Sequence, residues 1–588
     1  GINAEYGGQM DAELKTLVDN WMKIDPDQKT KQKVQDMVKN QEFAKLKQIL
    51  NPQNRLEFGT AGLRGEVAPG FCCMNQVVIM QTAQGILKYV QQHFPQDKSV
   101  CICHDARHYS DIFSDITAGV FIAAGYKVYY FRQLSPTPYA AFFSEHFKCV
   151  CGVMVTASHN PSQDNGYKVY GMNRGVQIVP PHDSGIQHSI EVSTEIMPTT
   201  YKYAEYLSEE YKTKGLFVEL NESSPETQIY YDSIKCLSRT TKTNNKLHFT
   251  PEYSAMWGVG YVPVKRAMQT FGFDLSQVKF FSDSIIPDPN FGGEKRPNPE
   301  ERHNMEKLCS KAAPETQVIV VNDPDADRFA LAEKVDGKWV IYHGNEIGAL
   351  FCEWTLLNTK GDDRLILCST VSSQILKKMA EQHKIHFAET LTGFKWLATV
   401  AREHTDKRAV FAFEEAIGYT CGDNQLIVGD KDGVSACCVM LELANHVYSE
   451  GKTIYDFLQG IYAKYGFHAW QNSGITVGSM SEVADLFVPL FGKGAQRDYV
   501  KQIGRFAVKR VRDMKAPGYD SEFGKPKLPV SGSEMVTFYC EEVTCTFRPS
   551  GTEPKVKYYI EAVSKKDNQE AKQIALDFEK EFRKLLGK

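Results

Sequence analysis

The amino-acid sequence predicts an α/β protein of several domains, in which parallel sheets carry helices on both faces. Short apolar runs typical of buried strands alternate with amphipathic helical segments along most of the chain. A length of 588 residues indicates about four domains at roughly 150 residues each. The last segment, roughly residues 465–588, departs from this alternation. Its strand-like runs are less regularly separated, and one amphipathic helix closes it.

Composition and charge argue against several classes of function. The chain is 42% hydrophobic and 24% charged, and its net charge of −4 gives no basic field for nucleic acid or anionic membranes. We find no apolar run near the roughly 20 residues that span a bilayer, and no signal peptide. The fifteen cysteines are scattered, many in apolar segments, without paired zinc-ligand spacing. We therefore expect reduced core thiols in a cytoplasmic protein with no nucleic-acid or membrane partner.

The first part of the chain begins with helices and continues as alternating elements. Residues 11–50 show helical spacing of apolar side chains, and Pro26 divides them into two helices. The pattern after them predicts helices at about 75–94, 110–124 and up to 146, and strands at 99–103, 127–131 and 150–155.

A glycine-rich loop, Phe58–Gly65, precedes these alternating elements. Its three glycines in seven residues can bring backbone N–H groups close to an anion. Arg64 suits a phosphate, because a guanidinium can donate two parallel hydrogen bonds. The alternative interpretation is a plain glycine-rich turn.

The segment Cys149–Tyr170 is the first candidate for chemistry. Its apolar strand runs into Thr156–Pro161, where the proline at the end of the motif forces the strand to break. Ser158 is thus displayed at a strand end with His159 beside it, at the edge where open α/β sheets bind ligands. The alternative is a strand-to-loop junction with polar turn residues, in which the histidine is structural.

Two further features follow in the same segment. Asn165-Gly166 predicts a turn. Lys168, just beyond it, is a candidate acid–base group, and a surface lysine after a turn is the alternative.

A second α/β set follows a polar, irregular stretch at about 200–245, which we interpret as a boundary or insertion. Strands are predicted at 247–250, 278–281 and 317–321, and helices near 264–271 and from about 300. The last strand leads into Asp323, Asp325 and Asp327, in a loop kinked by Pro324. Alternate carboxylates of this kind can converge on one hard cation, and Mg²⁺ prefers oxygen ligands.

This Mg²⁺ site has two alternatives. An EF-hand requires glycine and glutamate at loop positions that Arg328 and Lys334 occupy here. A solvated acidic loop is the other alternative.

A third α/β set places a further polar segment at the end of a strand. Strands are predicted at 365–368, 385–388 and 409–413, and helices after 344, from 372 and at 394–402. The last of these strands ends in Glu414 and Glu415. Paired carboxylates can accept hydrogen bonds from two sugar hydroxyls, act as an acid–base pair, or form a charged turn.

The final candidate is the loop Arg548–Lys555, which lies between two predicted strands. It offers a guanidinium, two hydroxyls and a glycine-exposed backbone within five residues, an inventory that suits a phosphate dianion.

These loops together resemble the α-D-phosphohexomutase superfamily. The motifs that carry the resemblance occur in the family's order over about residues 40–588: Phe58–Gly65, Thr156–Pro161, Asp323–Arg328, Glu414–Gly418 and Arg548–Lys555. The amino-acid sequences of these motifs are similar to those found in the branch of phosphoglucomutases that also accepts phosphopentoses. Ala416-Ile417 replaces a serine often found after the paired glutamates in other branches, so the corresponding hydroxyl contact is not carried over.

The resemblance implies a four-domain, heart-shaped enzyme with three similar α/β domains and a C-terminal α+β domain. One motif from each domain would face a central cleft. The implied domains are 1–205 with the phosphoserine loop, 206–333 with the metal-binding loop, 334–455 with the sugar-binding loop and 456–588 with the phosphate-binding loop.

The resemblance also implies a role for each candidate residue. Ser158 would carry the phosphoryl group and contribute to a Mg²⁺ site with the three aspartates. Arg64, His159 and Lys168 would complete the catalytic set. Lys395 would bind substrate, and the alternative is a cation on the surface of a helix. The implied substrate-binding residues are Arg328, Thr392, Gly393, Lys395, Glu414, Glu415, Arg548, Ser550, Gly551, Thr552 and Lys557.

The implied reaction interconverts glucose 1-phosphate and glucose 6-phosphate through glucose 1,6-bisphosphate, with ribose and deoxyribose 1-phosphates as further substrates. A predominant phosphopentomutase and a glucose 1,6-bisphosphate synthase are the alternatives within the family. A non-catalytic sugar-phosphate-binding protein is a further alternative, which the intact serine and aspartate motifs disfavour. We expect sugar phosphates as ligands and a monomeric or homodimeric protein.

Overall fold

The computed structural model describes residues 10–59, 62–172, 175–551 and 553–588. Three helices at the start of these ranges pack around their own apolar core. They are α1 (Ala12–Ile24), α2 (Gln28–Lys39) and α3 (Phe43–Leu50). The sequence predicted two helices here, and the third forms because residues 46, 49 and 50 bury a separate apolar face. Four units built on large sheets follow in chain order.

The first unit is a six-stranded sheet in the order β1-β5-β4-β2-β3-β6. Strands β4, β2, β3 and β6 run parallel to one another. β5 pairs antiparallel with β4, and β1 pairs antiparallel with β5. The strands are β1 (Gly62–Glu66), β2 (Ser99–His104), β3 (Lys127–Phe131), β4 (Cys151–Val155), β5 (Asp164–Gly171) and β6 (Phe217–Leu220). The helices are α4 (Gln76–His93), α5 (Ser110–Ala123), α6 (Thr137–His146), α7 (His182–Glu191), α8 (Pro198–Tyr201) and α9 (Glu209–Thr213).

Two details of this unit differ from the sequence prediction. The turn predicted at Asn165-Gly166 is wrong, because both residues lie within β5, paired with Gly65 and Arg64 of β1. A Cβ on Gly166 would lie 2.5 Å from the carbonyl oxygen of Thr156, so only glycine allows the strands to approach this closely. β6 pairs with β3 of the first sheet although the predicted boundary at 205 assigned it to the second domain.

The second unit is a five-stranded sheet in the order β11-β10-β9-β7-β8. The strands are β7 (Pro251–Ser254), β8 (Lys279–Phe280), β9 (Val318–Val321), β10 (Ala330–Val335) and β11 (Lys338–Ile341), and the helices are α10 (Gln228–Ile234), α11 (Tyr261–Thr270) and α12 (Arg302–Lys311). The strand predicted at Leu247–Thr250 is wrong. Side chains of Gln277, Asn445 and Gln317 satisfy backbone N–H groups of this segment, and the ladder begins at Pro251.

The third unit is a four-stranded sheet in the order β13-β12-β14-β15. The strands are β12 (Arg364–Ser369), β13 (His386–Thr390), β14 (Arg408–Glu414) and β15 (Gly418–Cys421). The helices are α13 (Gly344–Leu357), α14 (Ile375–His383), α15 (Phe394–Glu403), α16 (Gly433–Ser449) and α17 (Ile454–Tyr465). One continuous apolar core extends through all three α/β units.

The fourth unit is an antiparallel sheet in the order β16-β23-β22-β21-β19-β20, with a short hairpin of β17 and β18. The strands are β16 (Phe467–Thr476), β17 (Gln502–Ile503), β18 (Phe506–Ala507), β19 (Arg510–Asp513), β20 (Tyr519–Asp520), β21 (Val536–Tyr539), β22 (Val543–Pro549) and β23 (Lys555–Ser564), and the helices are α18 (Met480–Phe491) and α19 (Asn568–Leu585). This unit has its own apolar core. The bidentate pair of Arg512 with Glu389 links it to the third unit.

The fold thus has three α/β units and a C-terminal α+β unit, as predicted. Among the described residues, no helix combines the length and apolar character that crossing a bilayer requires. The cysteines at 101, 103, 149, 151, 437 and 438, which the sequence places in apolar segments, are all buried free thiols.

Candidate active site

Ser158 lies three residues beyond the end of β4, in contact with the second unit. Its φ angle of 55° lies in the left-handed region, which residues other than glycine adopt infrequently, and its side chain is buried. The Ser158 N–H donates to Thr156 Oγ1 at 3.0 Å. Ser158 Oγ lies 3.2 Å from Nδ1 of His159 and 3.4 Å from Oδ2 of Asp323. The candidate nucleophile therefore faces the aspartate loop directly.

His159 is held in its neutral form. Burial lowers its pKa to about 2, and the guanidinium groups of Arg328 and Arg64 act in the same direction. A neutral imidazole can exchange a hydrogen bond with the Ser158 hydroxyl but brings no positive charge to the site. Arg64 lies on β1 and donates to Asn160 Oδ1 at 3.4 Å, so it reaches the serine loop from the neighbouring strand.

Asp323, Asp325 and Asp327 form a compact, buried cluster after β9. One carboxylate oxygen from each lies within 4.8 Å of the others. Within the described residues, Asp325 Oδ1 and Asp327 Oδ1 are buried and accept no hydrogen bond. Buried acceptors without donors are costly, and a divalent cation bound between them would remove that cost. The donor set therefore fits a metal ion held by the three aspartates.

Two lysines partly compensate the charge of the cluster. Lys168 Nζ lies 2.8 Å from Asp325 and 3.2 Å from Asp327, and Lys431 Nζ lies 3.6 Å from Asp327. Burial opposes ionisation of the Asp325 carboxyl, but Lys168 together with hydrogen bonds from Asp323 and Thr137 lowers the pKa of Asp325. Burial likewise opposes charge on Lys168, and the two aspartates outweigh it and raise the pKa of Lys168. Lys168 therefore carries a proton beside the serine loop.

The four units enclose a cavity of about 800 Å³ next to Ser158. Residues from every unit line it, which agrees with the expected central cleft. Among the predicted site residues, the lining includes His159, Arg328, Thr392, Gly393, Glu414, Glu415, Arg548 and Lys557.

Arg328 connects the aspartate loop to this cavity. Its backbone N–H donates to Asp323 Oδ1 at 3.0 Å, and its Nη1 lies 3.5 Å from Oε2 of Glu300. Burial opposes its charge, but Asp327 and Glu300 raise the pKa of Arg328. Its Nε is buried and donates no hydrogen bond within the described residues. A fixed cation with a free donor is suited to an anionic ligand in the cleft.

The paired glutamates stand at the end of β14 on the opposite wall. Glu414 Oε1 lies 3.6 Å from Lys431 Nζ, so this lysine bridges the aspartate cluster and the glutamates. Glu415 Oε2 lies 3.1 Å from the Ser372 hydroxyl and 3.3 Å from the Ser369 hydroxyl. Burial raises the pKa of Glu415 to about 7, and the neighbouring Glu414 adds to the shift. One glutamate of the pair therefore titrates near neutral pH.

We expect the substitution Glu415→Gln to change how stability depends on pH. The raised pKa means that the folded protein retains a proton that the unfolded chain releases, so stability falls as pH rises from about 4.5 to about 7. The variant should match the wild type at pH 4, below both pKa values, and exceed it at pH 8 by on the order of 1–3 kcal/mol. Thermal unfolding of the ligand-free protein at both pH values measures this, with Glu381→Gln on an exposed glutamate as control. An equal difference at both pH values would contradict the raised pKa.

The C-terminal unit contributes cations to the cavity wall from β22 and β23. Arg548 Nη2 donates to the Tyr559 hydroxyl at 3.0 Å, and its Nε is buried without an acceptor among the described residues. Lys557 lines the cavity beside it, and burial and the charge of Arg548 lower the pKa of Lys557. Ser550 and Gly551 are at the loop tip and do not line the cavity. Thr552 lies outside the described residues.

Lys395 does not line the cavity. It is buried at the start of α15, with its Nζ 5.5 Å from the centre of the Trp396 ring. Burial lowers the pKa of Lys395. Thr392 and Gly393, which precede it, do reach the cavity wall.

Sequence reasoning missed two residues of this site. Lys431 lies between the aspartates and the glutamates, with its Nζ 3.6 Å from both Asp327 and Glu414, and no motif in the sequence marks it. Arg107 lies behind the serine loop and donates to its backbone carbonyls. The position of Arg107 in the sequence could have pointed to this site. Arg107 follows β2, which is the parallel neighbour of β4, so both strands end at the same edge of the sheet.

Comparisons with known proteins agree with this geometry. Family models described as phosphoglucomutase/phosphomannomutase alpha/beta/alpha domains I, II and III match residues 55–197, 203–337 and 343–465. A human phosphopentomutase is 36% identical over 591 residues, which cover 96% of this chain and 94% of the relative. A human glucose 1,6-bisphosphate synthase is 34% identical over 604 residues, covering 98% and 93%.

A solved structure shares the fold across all four units. Parafusin, a phosphoglucomutase from Paramecium, superimposes with a TM-score of 0.64 at 16% identity, covering 92% of this chain and 97% of its own. The matches to three consecutive family domains and to relatives of near-equal length identify the enzyme class. The chain belongs to the phosphoglucomutase/phosphomannomutase family of the α-D-phosphohexomutase superfamily, in its phosphopentomutase-like branch, and is a phosphoryl-transferring mutase.

Proposed function

We propose that the enzyme interconverts sugar 1-phosphates and terminal sugar phosphates through a phosphoserine at Ser158. Glucose 1-phosphate and glucose 6-phosphate would be one substrate pair, with glucose 1,6-bisphosphate as intermediate and activator. Ribose and deoxyribose 1-phosphates would be further substrates. The observation that carries the proposal is the position of Ser158 Oγ, 3.4 Å from Asp323, beside a cavity that Arg548 and Lys557 of the C-terminal unit also line.

The residues around Ser158 suit phosphoryl transfer, in which alignment and charge neutralisation dominate catalysis. The sugar hydroxyl oxygen bonds to phosphorus as the bond from phosphorus to Ser158 Oγ breaks. Lys168 is the proposed acid–base group: its ammonium would give a proton to the departing Ser158 Oγ and take up the proton of the sugar hydroxyl in return. Arg64 and Arg328 provide fixed positive charge, and the neutral His159 offers a hydrogen bond. After the bisphosphate reorients, its other phosphoryl group returns to Ser158.

We propose Mg²⁺ as the metal of the aspartate cluster. Asp323, Asp325 and Asp327 would hold it together with an oxygen of the Ser158 phosphoryl group. A bound Mg²⁺ would neutralise charge on that group. The buried acceptors of Asp325 and Asp327 support a hard cation at this position.

The rest of the cleft would hold the sugar and the phosphate that is not being transferred. Glu414 and Glu415 would accept from sugar hydroxyls, with Thr392 and Gly393 on the same wall. The remaining proposed substrate-binding residues are Lys395 and, at the phosphate end, Arg548, Ser550, Gly551, Thr552 and Lys557.

We expect Arg548→Ala to weaken binding of both sugar monophosphates. Each direction of the reaction presents a distal dianion to the same end of the cleft, and a guanidinium can hold it with two N–H bonds. KM should rise at least about tenfold in both directions, and free bisphosphate should accumulate during turnover, at a cost of roughly 1.5–3 kcal/mol per lost charged hydrogen bond. Arg505→Ala, on an exposed arginine of the same unit, is the control. A rise in only one direction would mean that the loop recognises one sugar end.

Two alternatives within the family have support from the relatives. Some are named phosphopentomutase and others glucose 1,6-bisphosphate synthase, at comparable identity. The discriminating experiment compares kcat/KM for ribose 1-phosphate and glucose 1-phosphate, and then measures bisphosphate formed from glucose 1-phosphate with an acyl-phosphate donor. Turnover of glucose 1-phosphate without a donor, through a Ser158 phosphate seen by intact mass, supports the mutase. Bisphosphate formation that requires the donor supports the synthase.

A cytoplasmic location and a monomeric or homodimeric state stay predictions.

A further inference from the structure

We propose that Arg107, supported by Asp105, is a positioning residue that holds the Ser158 loop in the conformation needed for phosphoryl transfer. The two residues follow β2, the strand beside β4, and neither lines the cleft around the substrate. This inference rests on the proposed role of Ser158.

The first observation is the number of loop carbonyls that converge on one guanidinium. Arg107 Nη2 donates to the carbonyl oxygens of Ser158 and Asn160, both at 2.8 Å. Its Nη1 donates to those of Pro161 at 2.9 Å and Asp164 at 3.1 Å. The Arg107 side chain is fully buried. One rigid, planar group thus fixes the backbone of the whole turn between β4 and β5.

The second observation is that Asp105 fixes both Arg107 and the N-terminal side of the serine. Asp105 Oδ1 accepts from the Arg107 N–H at 3.0 Å and from the Ser110 hydroxyl at 2.6 Å. Asp105 Oδ2 accepts from the Thr156 hydroxyl at 2.6 Å and lies 3.2 Å from Arg107 Nε. The Thr156 hydroxyl in turn accepts from the Ser158 N–H. The N–H and the carbonyl of Ser158 are therefore both held by one ion pair.

The third observation is the conformation that this ion pair maintains. Ser158 has a left-handed φ of 55°, which costs a residue with a Cβ on the order of 1 kcal/mol. We expect the loop between β4 and β5 to relax from this conformation if the carbonyls that Arg107 holds were released. Relaxation would move Ser158 Oγ away from Asp323, and a displacement of about 1 Å can cost a hundredfold in rate.

The fourth observation is that Arg107 and its neighbour His108 also contact the second unit. The guanidinium of Arg107 lies 4.8 Å from the centre of the Phe291 ring, and the adjacent His108 contacts Asn290 Oδ1 at 2.8 Å. Both partners belong to the unit that carries the metal-site aspartates. Arg107 therefore contacts both the first and the second unit, and the relative position of these two units sets the distance from Ser158 to Asp323.

The test uses the full-length enzyme with Arg107→Lys and Arg107→Met. Lysine keeps the charge but has three N–H donors on one atom, so it can satisfy only part of the loop; methionine removes charge and donors. We expect kcat to fall at least a hundredfold in the methionine variant and by an intermediate factor in the lysine variant. KM should stay within threefold, because neither residue contacts substrate. The phosphoserine should also hydrolyse faster in the methionine variant, since a displaced loop exposes its phosphorus to water.

A matched control exists in the third unit. Arg364 is also buried, at the start of β12, and donates to the carbonyls of Leu356, Thr359 and Gly361, but it does not line the cleft. Arg364→Met should lower the melting temperature and leave kcat per folded molecule within threefold of wild type. If Arg107→Met instead behaves like this control, Arg107 is only structural and the inference is overturned.

Arg107→Lys and Ser158→Ala distinguish a failure of the positioning role of Arg107 from a failure of the proposed phosphoserine at Ser158. If Arg107→Met does not fold, Arg107→Lys with unchanged kcat overturns the inference, and a reduced kcat at unchanged KM supports it. Turnover that persists in Ser158→Ala would instead refute the phosphoserine itself. An inactive Ser158→Ala with fully active Arg107 variants would refute only the positioning role.

Discussion

Ser158→Ala should abolish turnover and leave the fold unchanged. The substitution removes the oxygen that would carry the phosphoryl group, so we expect the rate to fall by at least about a thousandfold. Among the described residues, the Ser158 hydroxyl forms hydrogen bonds only with Nδ1 of His159 and Oδ2 of Asp323, so the free energy of unfolding should change by less than about 1 kcal/mol. Steady-state rates, intact mass and thermal unfolding measure the three quantities.

Ser114→Ala is a suitable control for this experiment. Ser114 is a buried serine of α5 in the same unit, and the substitution removes the same atom away from the cleft. It should retain both full activity and the phosphate seen by intact mass. Turnover within tenfold of wild type in Ser158→Ala would refute the phosphoserine assignment.

Removal of divalent cations by a chelator should stop catalysis with little unfolding. Without a metal, three buried carboxylates repel one another, but Lys168 and Lys431 lie within 3.6 Å of the cluster and offset part of that repulsion. We expect activity to fall at least about a hundredfold and to return with added Mg²⁺. The melting temperature should change by only a few degrees.

Lys168→Met provides the matched test of this charge compensation. With that lysine removed, chelation should lower the melting temperature much more than in the wild type, because the cluster loses its nearest cation. Retained activity together with a large loss of stability on chelation of the wild-type enzyme would mean that the ion is structural.

Much of the site could be predicted because its residues follow strands. The carboxyl ends of parallel strands meet at one edge of a sheet, so Ser158 after β4, the aspartates after β9 and Glu414 at the end of β14 were recognisable in order. The α/β alternation predicted most strands within a few residues. The cleft between units then follows from the packing of three sheets into one continuous core.

The failures have a common physical cause, which is long-range hydrogen bonding. Leu247–Thr250 has the composition of a strand, but distant side chains satisfy its backbone. Asn165-Gly166 has the composition of a turn, but pairing with β1 holds it in a strand. Arg107 carries no motif of its own, and its importance depends on four carbonyls that lie more than fifty residues away.

The separate apolar core of the C-terminal unit implies that this unit can open as a block without disrupting the core shared by the other three units. Its attachment to the rest includes one arginine–glutamate pair and a small cluster of Val371, Met514 and Met535. A sub-global opening of this block would withdraw Arg548 from the cleft while the core of the other three units keeps the serine and the aspartates assembled. Hydrogen exchange in β22 and β23 should therefore be faster than in β4 and β9, and ligands that bridge the blocks should slow it.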